Sequence, residues 1–269
     1  MYESENWNRV VVDVRTTRPS GDLLRRLVDG DVAVVVLRNL LPDEVFAENR
    51  ARLREVFDSA STTTYANGAL TTIGPYLAKY LDDFEGYLQA AKEAKVMLEG
   101  VSFDLAQHVR DGLRVQFGLS SLEPAAQPGR GEYAESVIRI HADGVRNPLH
   151  NDNIMRDAAG TEVALQDLAY QLSCVVCIQE CDSGGELRIY RKPWAAADEQ
   201  YKIQSGLGYD EQVVRDVPGH EFRPQANDVY LINPTRYHSI ERVSGSDRLT
   251  MGFFIGFADD TLDSAVVWG

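Results

Sequence analysis

The chain has 269 residues, 44% of them hydrophobic and 25% charged, an ordinary globular composition that can bury a substantial core without staples. Its net charge of −14 repels phosphate backbones and excludes nucleic acid as an expected partner; it hints only at a cationic substrate, since acidic surfaces usually serve solubility. No apolar run approaches the roughly 20 residues of a membrane helix, and the acidic start, Met1 to Glu5, is not a signal peptide, so a cytoplasmic protein is expected.

Asn8–Val14 and Val32–Arg38 read as strands. Between and after them the first half is rich in helix signals. Pro42-Asp43-Glu44 opens a helix to about Asp58, with proline and acids in its first turn. Helical stretches over Tyr76–Glu99 and Phe103–Phe117 follow. Leu122–Gly131 holds two prolines and two glycines and reads as a linker or exposed loop.

The second half changes character. Strand-like runs recur at Ser136–Ala142, Leu172–Glu180, Glu186–Arg191, Asp228–Ile232, Tyr237–Val243 and Arg248–Phe257. Turn residues separate them, as in Asp182-Ser183-Gly184-Gly185 and Ser244-Gly245-Ser246. Strands with such punctuation predict a sandwich or barrel, and helices followed by strands predict an α+β fold with helices buttressing one sheet. Lys192–Val217 is long for a connection between two strands and is expected to be a lid or binding loop.

Cys174 and Cys177 spell Cys-x-x-Cys, with Cys181 beyond. On a strand, positions three apart face opposite sides, so the pair is read as packing residues rather than a metal or redox site.

The five histidines carry the chemical argument. His108 reads as a helix-surface residue and His220 as a turn residue. His150 and Asp152, in Pro148-Leu149-His150-Asn151-Asp152-Asn153, project from one face if the segment is extended. His238 stands at the start of a later strand. Two imidazoles and one carboxylate make the facial triad of non-haem iron oxygenases, leaving three metal positions open. His141-Ala142-Asp143 spells the same His-x-Asp, and spacing does not choose between the pairs. Arg248 follows His238 by ten positions, in an Arg-x-Thr setting, and can pair bidentately with a carboxylate. A five-residue loop, Val243–Asp247, would pair Arg242 with Arg248 and turn His238 and Arg248 to one face of a hairpin. On the last long strand Arg248, Thr250, Gly252, Phe254 and Gly256 would then face inward. Leu249, Met251, Phe253, Ile255 and Phe257 would face outward, under helices.

His150-x-Asp152, His238 and Arg248, with strands between, resemble the Fe(II)/2-oxoglutarate dioxygenase superfamily, whose fold is a double-stranded β-helix, or jelly roll. A closer resemblance runs from about Ser136 to Gly269. Ile138-Arg139-Ile140-His141-Ala142-Asp143-Gly144, His150-x-Asp152-Asn153, the segment Asp182–Tyr190 with Trp194, and Tyr237-His238 to Trp268-Gly269 are similar to the carrier-independent, hapalindole-type halogenases. In that register the iron ligand is His150, not His141. Halogenating members carry Gly where this chain has Asp152, so the resemblance implies hydroxylation or another oxidation and not chlorination.

It further implies Fe(II), 2-oxoglutarate and O2, and a free-standing small-molecule substrate from secondary metabolism or an amino-acid derivative. Iron would sit on His150, Asp152 and His238, with the cosubstrate on Arg248, Thr250 and Arg139. Weaker substrate candidates are His141, Asn153, Tyr170 and Gln171, while Trp194 reads as a packing residue. One domain is expected over 1–269, with a helix-rich supporting region (1–130) and a jelly-roll core (135–269). The alternatives are a cupin-like metal-dependent isomerase or epimerase, a halogenase tolerating Asp152, and a jelly-roll binding protein without catalysis.

Overall fold

In the computed structural model residues 7–65 and 67–269 are described, and the acidic start from Met1 to Glu5 lies outside them. β1 (Arg9–Asp13) leads into α1 (Leu23–Asp29), which buries Leu23, Leu24 and Leu27 and ends at Gly30, φ +80°. The β-branched run of β2 (Val34–Arg38) returns parallel to β1 and is buried on both faces. α2 (Asp43–Leu53) tightens into a 3-10 turn over Arg54–Ser59. An unforeseen polar hairpin follows, β3 (Ser61–Tyr65) and β4 (Gly68–Ile73).

The helix expected from Tyr76 starts only at Phe84. Asp83 accepts the Gly86 N–H at 3.1 Å and caps α3 (Phe84–Gly100), leaving Tyr76 ahead of a separate 3-10 turn, Leu77–Lys79. α4 (Leu105–Phe117) buries Leu105, Val109 and Leu113 along one stripe. The expected linker is not a free loop. β5 (Ser121–Pro124) pairs with the last strand, and β6 (Ala126–Gln127) and β7 (Gly131–Glu132) close a small hairpin. Leu122, 1% exposed, fills the core there, and burial outweighs the turn-forming composition.

The second half supplies β8 (Val137–His141), β9 (Asn147–His150), α5 (Ile154–Asp157), β10 (Tyr170–Gln179) and β11 (Leu187–Pro193). It continues with β12 (Gly219–Phe222), β13 (Val229–Ile232), β14 (Arg236–Ile240), β15 (Arg248–Phe257) and β16 (Ser264–Trp268). They form two sheets. The larger runs β1-β2-β13-β10-β15-β8-β4-β3, with β16 beside the far half of β15 and β5 beyond it. The smaller runs β12-β11-β14-β9. The fold is α+β with a double-stranded β-helix core, and the first 130 residues give its larger sheet five strands as well as the helices.

β15 alternates as its sequence predicts. Leu249, Met251, Phe253, Ile255 and Phe257 join residues of α1, α2 and α4 in the main core. Arg248, Thr250 and Phe254 face a cavity between the sheets. Cys174 belongs to the helix-side core and Cys177 is buried near Arg248; all three cysteines are free.

The expected hairpin between β14 and β15 does not form. β14 is hydrogen-bonded between β11 and β9, and β15 between β10 and β8, so neither has an edge for the other. The chain from Glu241 to Asp247 instead crosses from the smaller sheet to the larger. His238 and Arg248 still converge, because each lies on the inner face of its own sheet.

Candidate metal centre

His150 ends β9 and stands opposite His238 on β14, with the two rings 4.2 Å apart between centroids. The Nδ1 of His150 is 2.7 Å from the Pro148 carbonyl, and the Nδ1 of His238 is 2.9 Å from that of Arg236. A carbonyl only accepts, so each Nδ1 carries the proton and each Nε2 keeps its lone pair. Both Nε2 atoms approach one oxygen, Asp152 Oδ2, at 3.8 Å from His150 and 3.7 Å from His238. The other oxygen, Oδ1, accepts the Tyr76 hydroxyl at 2.7 Å. Three donor atoms thus face one point, with their second atoms already satisfied.

These groups can hold a metal. Ligands on adjacent positions of an ion bonded at about 2.1 Å stand roughly 3 Å apart, and the three donor atoms here lie within 4.8 Å of one another, so closure needs only a modest contraction. Burial, aided by His150, pushes His238 down to about 4, which keeps its imidazole neutral and ready to ligate. Burial alone would raise the Asp152 carboxyl; His150, His238, the Tyr76 hydroxyl and Arg139 outweigh it and hold the group below its ordinary value. The donor set of two neutral imidazoles and one carboxylate suits Fe(II).

The triad lines a cavity of about 480 Å³ between the sheets. Arg248, 3% exposed, donates to the Tyr230 hydroxyl at 3.2 Å on its floor. Thr250 and Arg139 face each other across β15 and β8, as do Arg248 and His141. His141 is 2% exposed, and among the described residues neither ring nitrogen has a partner. Burial, with Arg248, Arg139 and His150 nearby, pushes it down to about 3. The competing pair of His141 and Asp143 builds no second centre: Asp143 is exposed and accepts the Gly245 N–H at 2.9 Å.

Three expected substrate residues lie elsewhere. Asn153 caps α5, accepting the Arg156 N–H at 3.1 Å, and is not among the cavity residues. Tyr170 falls on the helix side of β10, under Arg25 and hydrogen-bonded to Asp260. Gln171 faces inward but is used by the Ile154 N–H at 2.8 Å. Trp194 packs under the Arg156 guanidinium, as a loop residue should.

Sequence reasoning missed Tyr76, Tyr230 and Asn151, all cavity residues. Only Tyr230 carried a signal, a lone hydroxyl on the inward phase of Val229-Tyr230-Leu231-Ile232. The long segment after β11 does cover the cavity. Its Leu207 is clasped by Asn67, which donates to the Leu207 carbonyl and accepts its N–H, both at 2.8 Å. Gly208, φ +80°, passes so close to the Leu149 carbonyl that a Cβ would sit 2.0 Å from its oxygen.

A jelly roll with a His-Asp-His triad and an inward arginine in one cavity defines the class: that of the Fe(II)- and 2-oxoglutarate-dependent oxygenases. The family model described as carrier-protein-independent halogenase WelO5 matches residues 6–269, and the chain belongs to that family. The L-isoleucine 3(1)-dioxygenase of Pantoea ananatis (strain AJ13355) is 29% identical over 87 residues, 32% of this chain; the match spans only 29% of that relative's length.

An N-substituted L-amino acid dioxygenase from Burkholderia ambifaria AMMD superposes with a TM-score of 0.60 at 17% identity, over 93% of this chain and 91% of that one. SnoK, a non-heme alpha ketoglutarate dependent carbocyclase from nogalamycin biosynthesis, gives 0.57 at 15% identity, over 93% and 88%. At these identities the likeness is one of fold. Among the described residues no helix is long and apolar enough to cross a membrane.

Proposed function

We propose that this single-domain chain is an Fe(II)- and 2-oxoglutarate-dependent oxygenase that hydroxylates an unactivated C–H bond of a free-standing small molecule. The observation that carries the reading is the convergence of two Nε2 lone pairs and Asp152 Oδ2 on one point, in a cavity that also holds Arg248. Bound iron with 2-oxoglutarate and O2 supplies the oxidising power, releasing succinate and CO2.

The protein's share is binding, orientation and exclusion of water. His150, Asp152 and His238 hold the metal, and the Pro148 and Arg236 carbonyls fix the imidazole tautomers. Arg248 and the Tyr230 hydroxyl receive the distal carboxylate of 2-oxoglutarate, with the Thr250 hydroxyl beside them. His141, neutral and without a partner among the described residues, offers a ring N–H next to Arg248. Val175, Leu187, Ile232, Ile240 and Phe254 give the cavity dry walls that keep water from the reacting carbon.

Asp152 supports hydroxylation over halogenation, because its carboxylate takes the metal position a halide would need. The free, buried cysteines suit a reducing compartment, and the reading includes a cytoplasmic enzyme with no nucleic-acid partner.

The test is succinate formation from 2-oxoglutarate by enzyme loaded with Fe(II) without oxygen and then exposed to O2, with and without chloride. Wild type should turn over slowly even without substrate, and Asp152→Ala and Arg248→Ala should not. Fe(II) binding without succinate under any condition would sink the reading in favour of a metal-dependent isomerase.

A further inference from the structure

We propose that the substrate is an anion, a carboxylate or a phosphate ester, whose acidic group is received by Arg139 inside the cavity and drawn in past Lys79 and Lys202. This rests on the oxygenase reading of the same site. It reverses the cationic substrate suggested by the net charge.

The charges of the cavity carry the argument. The iron centre is self-balanced: a divalent metal, the Asp152 carboxylate, doubly charged 2-oxoglutarate and Arg248 come to no net charge. Arg156, also on the wall, is spoken for by Asp157 at 2.6 Å and by the Trp194 ring. What remains on the lining is Arg139, Lys79 and Lys202, all cationic. In a chain of net charge −14, three cations facing one cavity form a local reversal of sign. Such a reversal focuses anions into a cleft that the rest of the surface repels.

Arg139 is the anchor because no carboxylate pairs with it directly: Asp152 feels its charge across the cavity but is taken up by the two imidazoles and the Tyr76 hydroxyl. Among the described residues no carboxylate lies within ion-pair distance of it, and its guanidinium stands over the Tyr76 ring at 5.7 Å. It is half-buried, and an unpaired guanidinium in a dry wall is costly unless a ligand pairs with it. Gly252 makes room for it: a Cβ there would come within 2.9 Å of an Arg139 nitrogen. The planar fork suits two oxygens of a carboxylate or phosphate.

Among the described residues Lys79 donates only to the neutral Thr63 hydroxyl, at 2.5 Å, and Lys202 has one loose partner, Glu199 at 3.5 Å. An independent sign of an acceptor is Asn151. Its Oδ1 accepts from Arg156 at 2.5 Å, while its buried Nδ2, in the same cavity, has no partner among the described residues.

The test needs neither turnover nor the true substrate. The intact protein is loaded with Mn(II) and saturating 2-oxoglutarate, and paramagnetic broadening of small probes is read by fluorine and phosphorus NMR. Trifluoroacetate stands for a carboxylate, inorganic phosphate for a phosphate ester, and trifluoroethanol is the neutral control. Both anions, or one of them, should broaden well beyond the alcohol, and the stronger one names the acidic group.

Arg139→Gln should cut that broadening roughly tenfold, as loss of one charge-assisted contact implies. Lys79→Gln, at an exposed position, should cut it several-fold and guards against a folding defect. Anions no broader than trifluoroethanol, or broadening that survives Arg139→Gln, would overturn the proposal. If Mn(II) stays free by EPR, the oxygenase reading itself has failed; if metal and 2-oxoglutarate bind and the anions do not, only the anionic substrate is lost.

Discussion

Replacing Tyr76 by Phe removes one oxygen and leaves the ring. The ring's neighbours, Phe254 at 6.4 Å and the Arg139 guanidinium at 5.7 Å, keep their contact. What is lost is the 2.7 Å bond to Asp152 Oδ1, given to an ionised acceptor in a buried site. Bonds of that kind contribute about 1.5–3 kcal/mol, so the metal-free protein should lose about 2 kcal/mol in urea unfolding. Asp152 then keeps its burial penalty with one fewer group opposing it, and its rotation is no longer pinned. Metal affinity should fall roughly 10–100-fold, read by titration with Mn(II) or Co(II). The reasoning assigns both losses to one bond, so they must vanish when its acceptor is gone. A Tyr76→Phe stability cost that is undiminished in an Asp152→Ala background would refute it.

Arg248→Lys should weaken 2-oxoglutarate binding to the metal-loaded protein roughly 10–100-fold, and Tyr230→Phe by less, both by equilibrium dialysis, since a lysine cannot form the bidentate pair. His141 is neutral in the fold, with its value lowered to about 3 from 6.5. The unfolded chain therefore takes up a proton that the fold refuses. Its contribution is whole above pH 6.5 and drains away below, by about 2 kcal/mol between pH 7 and 5. His141→Gln should flatten the urea midpoint of metal-free protein over that interval by this amount. Asp198 accepts the Lys192 ammonium at 2.6 Å and the Tyr237 hydroxyl at 3.1 Å, tying the covering segment to the residue beside His238. Asp198→Ala should speed limited proteolysis within residues 194–217 several-fold and lower urea stability by about 2 kcal/mol, because it leaves the Lys192 ammonium and the Tyr237 hydroxyl without their acceptor.

That His150, Asp152, His238 and Arg248 would meet in one cavity was legible because the chemistry expected of them needs rare residue types at fixed spacing, and five histidines leave few choices. The alternation of β15 was legible for a similar reason: period two with a ligand on one side and helices on the other admits one phase. The partners of the strands were not. Glu241–Asp247 looks like a hairpin turn by composition, and only the occupied edges of β14 and β15 forbid it. β9 carries a proline and few apolar residues, and it is a strand because β14 offers it an edge. Tyr76 was hidden in an apparent helix, since the cap that starts α3 later depends on Asp83 turning back onto Gly86. Tyr170 was misassigned by phase: counted along β10, even positions meet the helices and odd ones the cavity.

The clasp at Leu207 has a bearing on how this enzyme can diversify. Asn67 holds the covering segment by its main chain alone, through one N–H and one carbonyl. A grip of that kind is indifferent to which side chain the segment carries at that point. The side chain at Leu207, which lines the cavity, can therefore change while the path of the chain there stays fixed, so new substrates can be sampled without rebuilding the metal site. The constraint falls on recombination instead. A graft of residues 194–217 should seat on this chain only when it brings a main-chain N–H and carbonyl to the place where Asn67 meets them.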